Sequence, residues 1–253
     1  MPRLNSFHLP TQDWPADLRA GEHVTLAGAE ARHLISVLRG KQGDKIRLFD
    51  GAGREGQFVV LSVQGKASVA LEALLLTHTP RPARGITLAI GWNKSSRRDW
   101  LLEKAVELGA TGLLFWRASR SQGEPPAEPK PTWSEKLIQS AKQCGAVWLP
   151  ELGCIHSGCQ SLALIATNYD NRYVLWEGAA PSSLFKPEEL AVGRSLVVVG
   201  PEGGLESAEA EALALAGFQH TSLGPRPLRW ETAALHCLCL GYHHTLLTQR
   251  EQA

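Results

Sequence analysis

Hydrophobic and polar positions alternate in short runs through the first eighty residues. Lys45-Ile-Arg-Leu-Phe49 reads as a strand that stops at the turn signal Asp50-Gly51. Residues 57–63 and 67–76 read as the next two strands. Between them and the N-terminus, residues 29–38 carry His33, Leu34, Val37 and Leu38 on one face of a short helix. Several short strands separated by turn signals predict a small barrel.

The period changes beyond Thr79-Pro-Arg-Pro-Ala-Arg-Gly85, a Pro-rich charged stretch that reads as a linker. Residues 86–91, 112–116, 173–176, 196–199 and 219–223 are strand-like. Residues 98–108, 134–145, 207–216 and 232–247 have helical spacing, the first of them ending at Gly109. Strands alternating with helices predict a mainly parallel α/β sheet. The chain thus reads as two domains, 1–78 and 79–253, with no internal repeat.

Composition changes this picture little, whereas the distribution of charge changes it more. With 43% hydrophobic and 20% charged residues, 253 residues can bury a core. No apolar run is long enough to span a bilayer. The N-terminus lacks a signal-peptide apolar core, and five cysteines fit a reducing compartment, so a cytoplasmic protein is expected. Net charge is +1, which excludes a simple polycationic coater of nucleic acid. Residues 1–80 hold 9 basic and 8 acidic side chains, 81–130 hold 9 and 5, and 131–253 hold 8 and 12. The basic surplus therefore lies in the N-terminal half, densest around Arg81, Arg84, Lys94, Arg97 and Arg98.

Two loops carry candidate chemistry. Gly200-Pro-Glu-Gly-Gly204 directly follows an apolar strand, where glycines let a ligand approach the backbone. It matches neither a dinucleotide fingerprint nor a phosphate loop. Leu223-Gly-Pro-Arg-Pro-Leu-Arg229 leads through Trp230-Glu231 into the last helix. Its prolines stiffen the backbone, and Arg226 and Arg229 suit a phosphate or a substrate oxygen. An ordinary helix-start contact between an arginine and Glu231 is the plainer reading of the same residues. Cys154 and Cys159, and Cys237 and Cys239, lack metal-ligand spacing, so free thiols and no metal are expected.

The two loops together resemble the paired cofactor loops of the SPOUT methyltransferases, and more narrowly the ribosomal RNA small-subunit methyltransferase E family. The resemblance extends to His33-Leu-Ile-Ser-Val-Leu-Arg39, Leu48-Phe-Asp-Gly51, Lys94, Glu103-Lys-Ala-Val-Glu-Leu-Gly109 and Arg120-Ser121. It implies a PUA-like β-barrel RNA-binding domain followed by a trefoil-knotted α/β methyltransferase domain. It also implies a homodimer that methylates N3 of one uridine in 16S ribosomal RNA, in the decoding region near the 3′ end. S-adenosyl-L-methionine would be the methyl donor, and free ribosomal RNA or the small ribosomal subunit the partner. Trp230, Pro227, Lys142 and Ala146 depart from the usual pattern of that family, which bears on substrate placement more than on cofactor binding.

On this resemblance Gly200, Glu202, Gly203, Leu223, Gly224 and Leu228 would line the cofactor site, with Leu175, Trp176 and Glu177 as its third wall. Uridine N3 carries a proton at neutral pH, so transfer needs a base or a stabiliser of the anion. Arg226, Arg229 or Arg3 fit the second role, and Glu231 or Glu202 the first. Arg3, Arg32, Arg39, Lys94, Arg97, Arg98 and Arg120 would hold phosphates. Most of the eight tryptophans are expected in cores, with Trp230, inside the second loop, the exception. Rival readings are a SPOUT enzyme acting on ribose 2′-hydroxyls or transfer RNA, and a non-catalytic RNA-binding assembly factor.

Overall fold

The computed structural model describes residues 4–180, 182–191 and 193–251, so Arg3 lies outside the described residues. The chain divides into two compact units. One comprises residues 1–81 and 138–149, the other 82–137 and 150–253.

The first unit is a five-stranded sheet in the order β1-β3-β4-β5-β2. Its strands are β1 (Ser6–His8), β2 (His23–Ala27), β3 (Lys45–Phe49), β4 (Arg54–Val63) and β5 (Ser68–His78). β1 runs parallel to β3, and the other pairings are antiparallel. Period-2 alternation places Ile46, Leu48, Phe58, Val60, Val69 and Leu71 in one core. Register shifts at Gln57/Phe58 and Val60/Ser62 interrupt the β4–β5 ladder and bend it. The Asp50-Gly51 turn forms as read. The Asp50 carboxylate accepts the Ala52 and Arg54 N–H groups at 2.8 and 2.9 Å, and Arg54 Nε at 2.7 Å.

Two expectations change here. The single helix over 29–38 is instead a short α1 (Gly28–Arg32) running into one π-helical turn, His33–Val37. The wider turn rotates the apolar face, so Leu34 is buried while Val37 is 64% exposed. Residues 138–149, read from sequence as part of the second domain, count with the first unit. Lys142 pairs with Glu30 at 2.9 Å, Arg47 Nη2 donates to Gly145 O at 3.1 Å, and Trp148 Nε1 donates to Thr79 O at 3.0 Å. No local pattern announces such partners, which lie far away in sequence.

The second unit is a six-stranded, all-parallel sheet in the order β11-β9-β10-β6-β7-β8. Its strands are β6 (Gly85–Gly91), β7 (Gly112–Trp116), β8 (Glu151–Ile155), β9 (Asn171–Leu175), β10 (Arg194–Val199) and β11 (Gln219–Thr221). The helices are α2 (Arg97–Glu107), α4 (Gly158–Ala166), α5 (Ser207–Leu215) and α6 (Trp230–Glu251), and α3 (Pro131–Cys144) begins in this unit and ends in the first. β10 is central, which is why its sequence is an unbroken apolar run: Leu196, Val197, Val198 and Val199 are all buried. Sequence reading passed over β8 and α4. β8 is a short edge strand with only Ile155 buried, and α4 is apolar on most sides, so neither shows a clean period. Among the described residues, no helix is long and apolar enough to cross a membrane.

Candidate active site

β6 and β10 are neighbours in the sheet, yet their chains leave in opposite directions. β6 continues through α2 to β7 on one side, and β10 continues through α5 to β11 on the other. The carboxyl ends of such strands form the crevice where ligands bind in open parallel sheets. Four segments meet there: residues 92–96 after β6, 176–180 after β9, 200–206 after β10 and 222–229 after β11.

The segments are locked together by backbone. Trp176 N donates to Thr221 O at 3.1 Å, Ser222 N to Ser183 O at 2.7 Å, and Phe185 N to Ser222 O at 2.9 Å. A Cβ on Gly91 would collide with the Pro201 backbone N and lie 2.8 Å from Gly200 C, so the loop after β10 crosses β6 at van der Waals contact. Gly224 has φ +117°, and a Cβ there would meet nothing within 4 Å. Glycine thus leaves the backbone bare toward open space. Arg120 supports the first loop, its Nη1 donating to Gly203 O at 3.0 Å. The helix beyond that loop begins with a reciprocal cap between Glu206 and Glu209.

The three sets read from sequence as a cofactor site fall on these loops. Leu175 ends β9, followed by half-buried Trp176 and exposed Glu177. Gly200, Glu202 and Gly203 follow β10, with Glu202 exposed, and Leu223, Gly224 and Leu228 follow β11. β9 pairs with both β10 and β11, so the three segments leave adjacent strands.

The charged candidates divide into groups. Arg226 and Arg229 are exposed on the last loop, and Lys94 is exposed after β6. Arg32 and Arg39 are exposed in the first unit, Arg39 with φ +54°, the only positive φ outside glycine among the described residues. Arg98 is consumed by the fold. Its guanidinium lies 4.1 Å from the Trp92 ring centroid and 5.2 Å from that of Trp133, and it donates to Asn93 O and Ser95 O. Burial pulls its pKa below the usual arginine value. Glu231 is buried at 8% exposure, and its Oε1 accepts Arg97 Nη1 at 2.7 Å. Trp230, expected to be available in its loop, is 4% exposed at the start of α6.

Sequence reasoning missed one feature of the site. Trp92 Nε1, Asn93 Nδ2, Trp230 Nε1 and Glu231 Oε2 are buried polar atoms with no hydrogen-bond partner among the described residues. They sit on the segments following β6 and opening α6. The only hint in sequence is a polar pair of positions, 93 and 231, each beside a tryptophan at the end of a loop or strand. All five cysteines are free, and no group of three or more metal-ligating side chains occurs among the described residues.

Comparison with known proteins places the chain as a whole. Residues 79–240 match an RNA methyltransferase domain, and residues 26–73 match the RNA methyltransferase PUA domain. The chain is 30% identical to the ribosomal RNA small subunit methyltransferase E of Bacillus subtilis, over 90% of this chain and 93% of that protein. The crystal structure of the ribosomal RNA small subunit methyltransferase E of Neisseria gonorrhoeae bound to S-adenosyl methionine is 28% identical. It superposes with a TM-score of 0.79, covering 94% of this chain and 96% of that one. A probable rRNA-methyltransferase from Porphyromonas gingivalis is also 28% identical, with a TM-score of 0.77 over 96% and 98% of the two chains.

Proposed function

The chain belongs to the ribosomal RNA small subunit methyltransferase E family, and from that premise we propose that it methylates N3 of a uridine in 16S ribosomal RNA with S-adenosyl-L-methionine as donor. The observation that carries this reading is the convergence of three backbone-lined loops at the carboxyl ends of β9, β10 and β11.

The residues present fit the donor. Gly224 offers bare backbone, and Gly200 and Gly203 lie on a loop that Arg120 holds through Gly203 O. The exposed carboxylates of Glu177 and Glu202 on two of the loops suit a ligand that carries positive charge. When bound, S-adenosylmethionine supplies a methyl group on a positively charged sulfur. The loops tied through Ser222 give that ligand a preformed seat, so binding orders little chain. Arg226 and Arg229, exposed beside the seat, meet the anionic RNA.

In the first unit Arg32 and Arg39 dock RNA phosphates, and affinity for RNA falls steeply with salt. Tyr242, Leu246 and Leu247 are each more than 40% exposed on α6, an apolar surface that suits a second copy of the chain. The threaded C-terminal segment of the family and a cytoplasmic site of action belong to the same reading.

Mass spectrometry of 16S ribosomal RNA nucleosides from cells with and without the gene tests the proposal. Loss of 3-methyluridine on deletion is expected, and an unchanged level sinks it. Arg229→Ala is expected to keep S-adenosylmethionine affinity and lose methylation, and full activity in this variant removes Arg229 from the site.

A further inference from the structure

We infer that Arg97 is the contact that holds the target uracil as its N3 anion, and that Glu231 is the positioning residue that aims it. This rests on the uridine-N3 reading above.

Arg97 is the first residue of α2, and Glu231 the second of α6, 134 positions away. Their 2.7 Å ion pair joins the segment that leaves β6 to the helix that follows the last loop. Both elements border the crevice: α2 directly follows the segment that leaves β6, and α6 directly follows the loop that leaves β11. A guanidinium has five N–H donors in a rigid fork. One nitrogen, Nη1, is used on Glu231, and the others have no partner among the described residues. The side chain remains 40% exposed, so its unused donors are reachable from outside.

Neighbouring Arg98 shows the contrast. Its Nη2 alone donates to both Asn93 O and Ser95 O, and its guanidinium lies against the Trp92, Phe115 and Trp133 rings, so it shapes the segment rather than serving a ligand. The surroundings of Arg97 are also underused. Asn93 Nδ2, Trp230 Nε1 and Glu231 Oε2 are buried with no partner, where folded proteins satisfy nearly all such atoms. The end of β6 and the start of α6 therefore carry hydrogen-bonding capacity that the fold itself does not consume.

Ionising uracil leaves negative charge spread over O2, N3 and O4. The N3 proton passes to solvent hydroxide, giving water, and the electron pair of the broken N–H bond stays on N3. Arg97 can donate to one carbonyl oxygen and leave N3 open to the methyl group. Its permanent charge in a partly dry crevice stabilises the anion as it forms. Glu231 cannot be the proton acceptor in this geometry. Its Oε1 is committed to Arg97, and its Oε2 is buried out of contact with solvent. A mere phosphate contact would not need a buried carboxylate to fix its direction.

The test uses the full-length protein, S-adenosylmethionine and small subunits lacking the modification, with Arg97→Ala, Arg97→Lys and Glu231→Gln. Single-turnover rates at saturating RNA are measured against pH, and RNA affinity without cofactor against salt. Arg97→Ala is expected to lose about 100-fold or more at pH 7. The loss should shrink as pH rises, because hydroxide then supplies the anion unaided. It should shrink again on RNA carrying 5-fluorouridine at the target, whose N3 is more acidic. Arg97→Lys and Glu231→Gln should fall between Arg97→Ala and the parent protein, with the same recovery.

The salt dependence of RNA affinity should stay that of the parent protein. A pH-independent loss, or a loss confined to KM with the salt slope reduced by about one, overturns the inference and marks a structural or phosphate role. If the alanine variant does not fold, Arg97→Lys decides, and a parental rate at pH 7 overturns the inference. Failure of the parent protein to make 3-methyluridine would instead overturn the wider reading of function.

Discussion

Asp50 in the first unit and Glu231 in the second are both buried carboxylates beside an arginine, at 5% and 8% exposure. Asp50 is saturated: both oxygens accept hydrogen bonds, from Ala52 N, Arg54 N, Arg54 Nε and the Thr11 hydroxyl. Glu231 is half used, with Oε1 on Arg97 and Oε2 unpaired. Burying a charge is costly unless its partners are in place. A carboxylate whose bonds all close on one turn holds that turn together. One left half open, beside an exposed guanidinium, is kept for something other than the fold.

The largest effect that could break this contrast is on stability. Asp50→Ala leaves the Ala52 and Arg54 N–H groups without their acceptor and Arg54 without its carboxylate, and should destabilise the first unit by about 3–5 kcal/mol. Glu231→Gln should leave the unfolding midpoint near that of the parent while methylation falls. Denaturant unfolding of both variants checks this, and equal destabilisation would erase the distinction.

Next in size is Gly91→Ala. Its new Cβ meets the Pro201 backbone, and overpacking of this kind costs about 1–3 kcal/mol. Since every 1.4 kcal/mol is about tenfold in a binding constant, S-adenosylmethionine affinity measured by calorimetry should drop about tenfold or more. An unchanged affinity would mean that the crossing of β6 does not set the seat.

Thiol chemistry gives a smaller, sharper reading of burial. Cys237 is fully buried and its thiol is pushed well above the usual range, and Cys159 is pushed up to about 11. Exposed Cys144 and Cys239 should therefore take iodoacetamide first, as read by mass spectrometry. Early labelling of Cys237 would show that α6 opens.

The smallest effect is beside Asp50. Burial lowers the pKa of His8, against the hydrogen bond between its Nε2 and Asp50 O at 3.2 Å. The unfolded chain then binds the proton more readily than the folded one. The stability from neutral His8 is present above pH 6.5 and is lost as pH falls below it toward the folded value. His8→Gln should flatten that slope in thermal unfolding, and a persistent slope would assign it to another group.

Much of this was legible in the sequence, because periodicity is a local property. The apolar run of β10 and the alternation of β3 each fix a strand without reference to any other residue. The glycine loops could be read for the same reason. What escaped reading depends on partners far along the chain. Lys142 faces Glu30 and Arg97 faces Glu231, 112 and 134 positions apart. Arg98 read as a phosphate ligand because its aromatic neighbours Phe115 and Trp133 are remote in sequence. The π-helical turn at His33–Val37 escaped because one extra residue per turn breaks the 3.6 period on which the expectation rested.

The order of strands also governs when the protein can come into being. β10 lies between β6 and β9, both of which precede it in the chain, and Glu231 comes later still, in the first turn of α6. During synthesis Arg97 emerges long before the carboxylate that aims it. The sheet closes only when a late strand is seated between two earlier ones, a non-local step that makes folding slow. A nascent or truncated chain that has already made β6 to β9 therefore has no crevice to fill, and competence arrives only once β10, β11 and the first turn of α6 have been made.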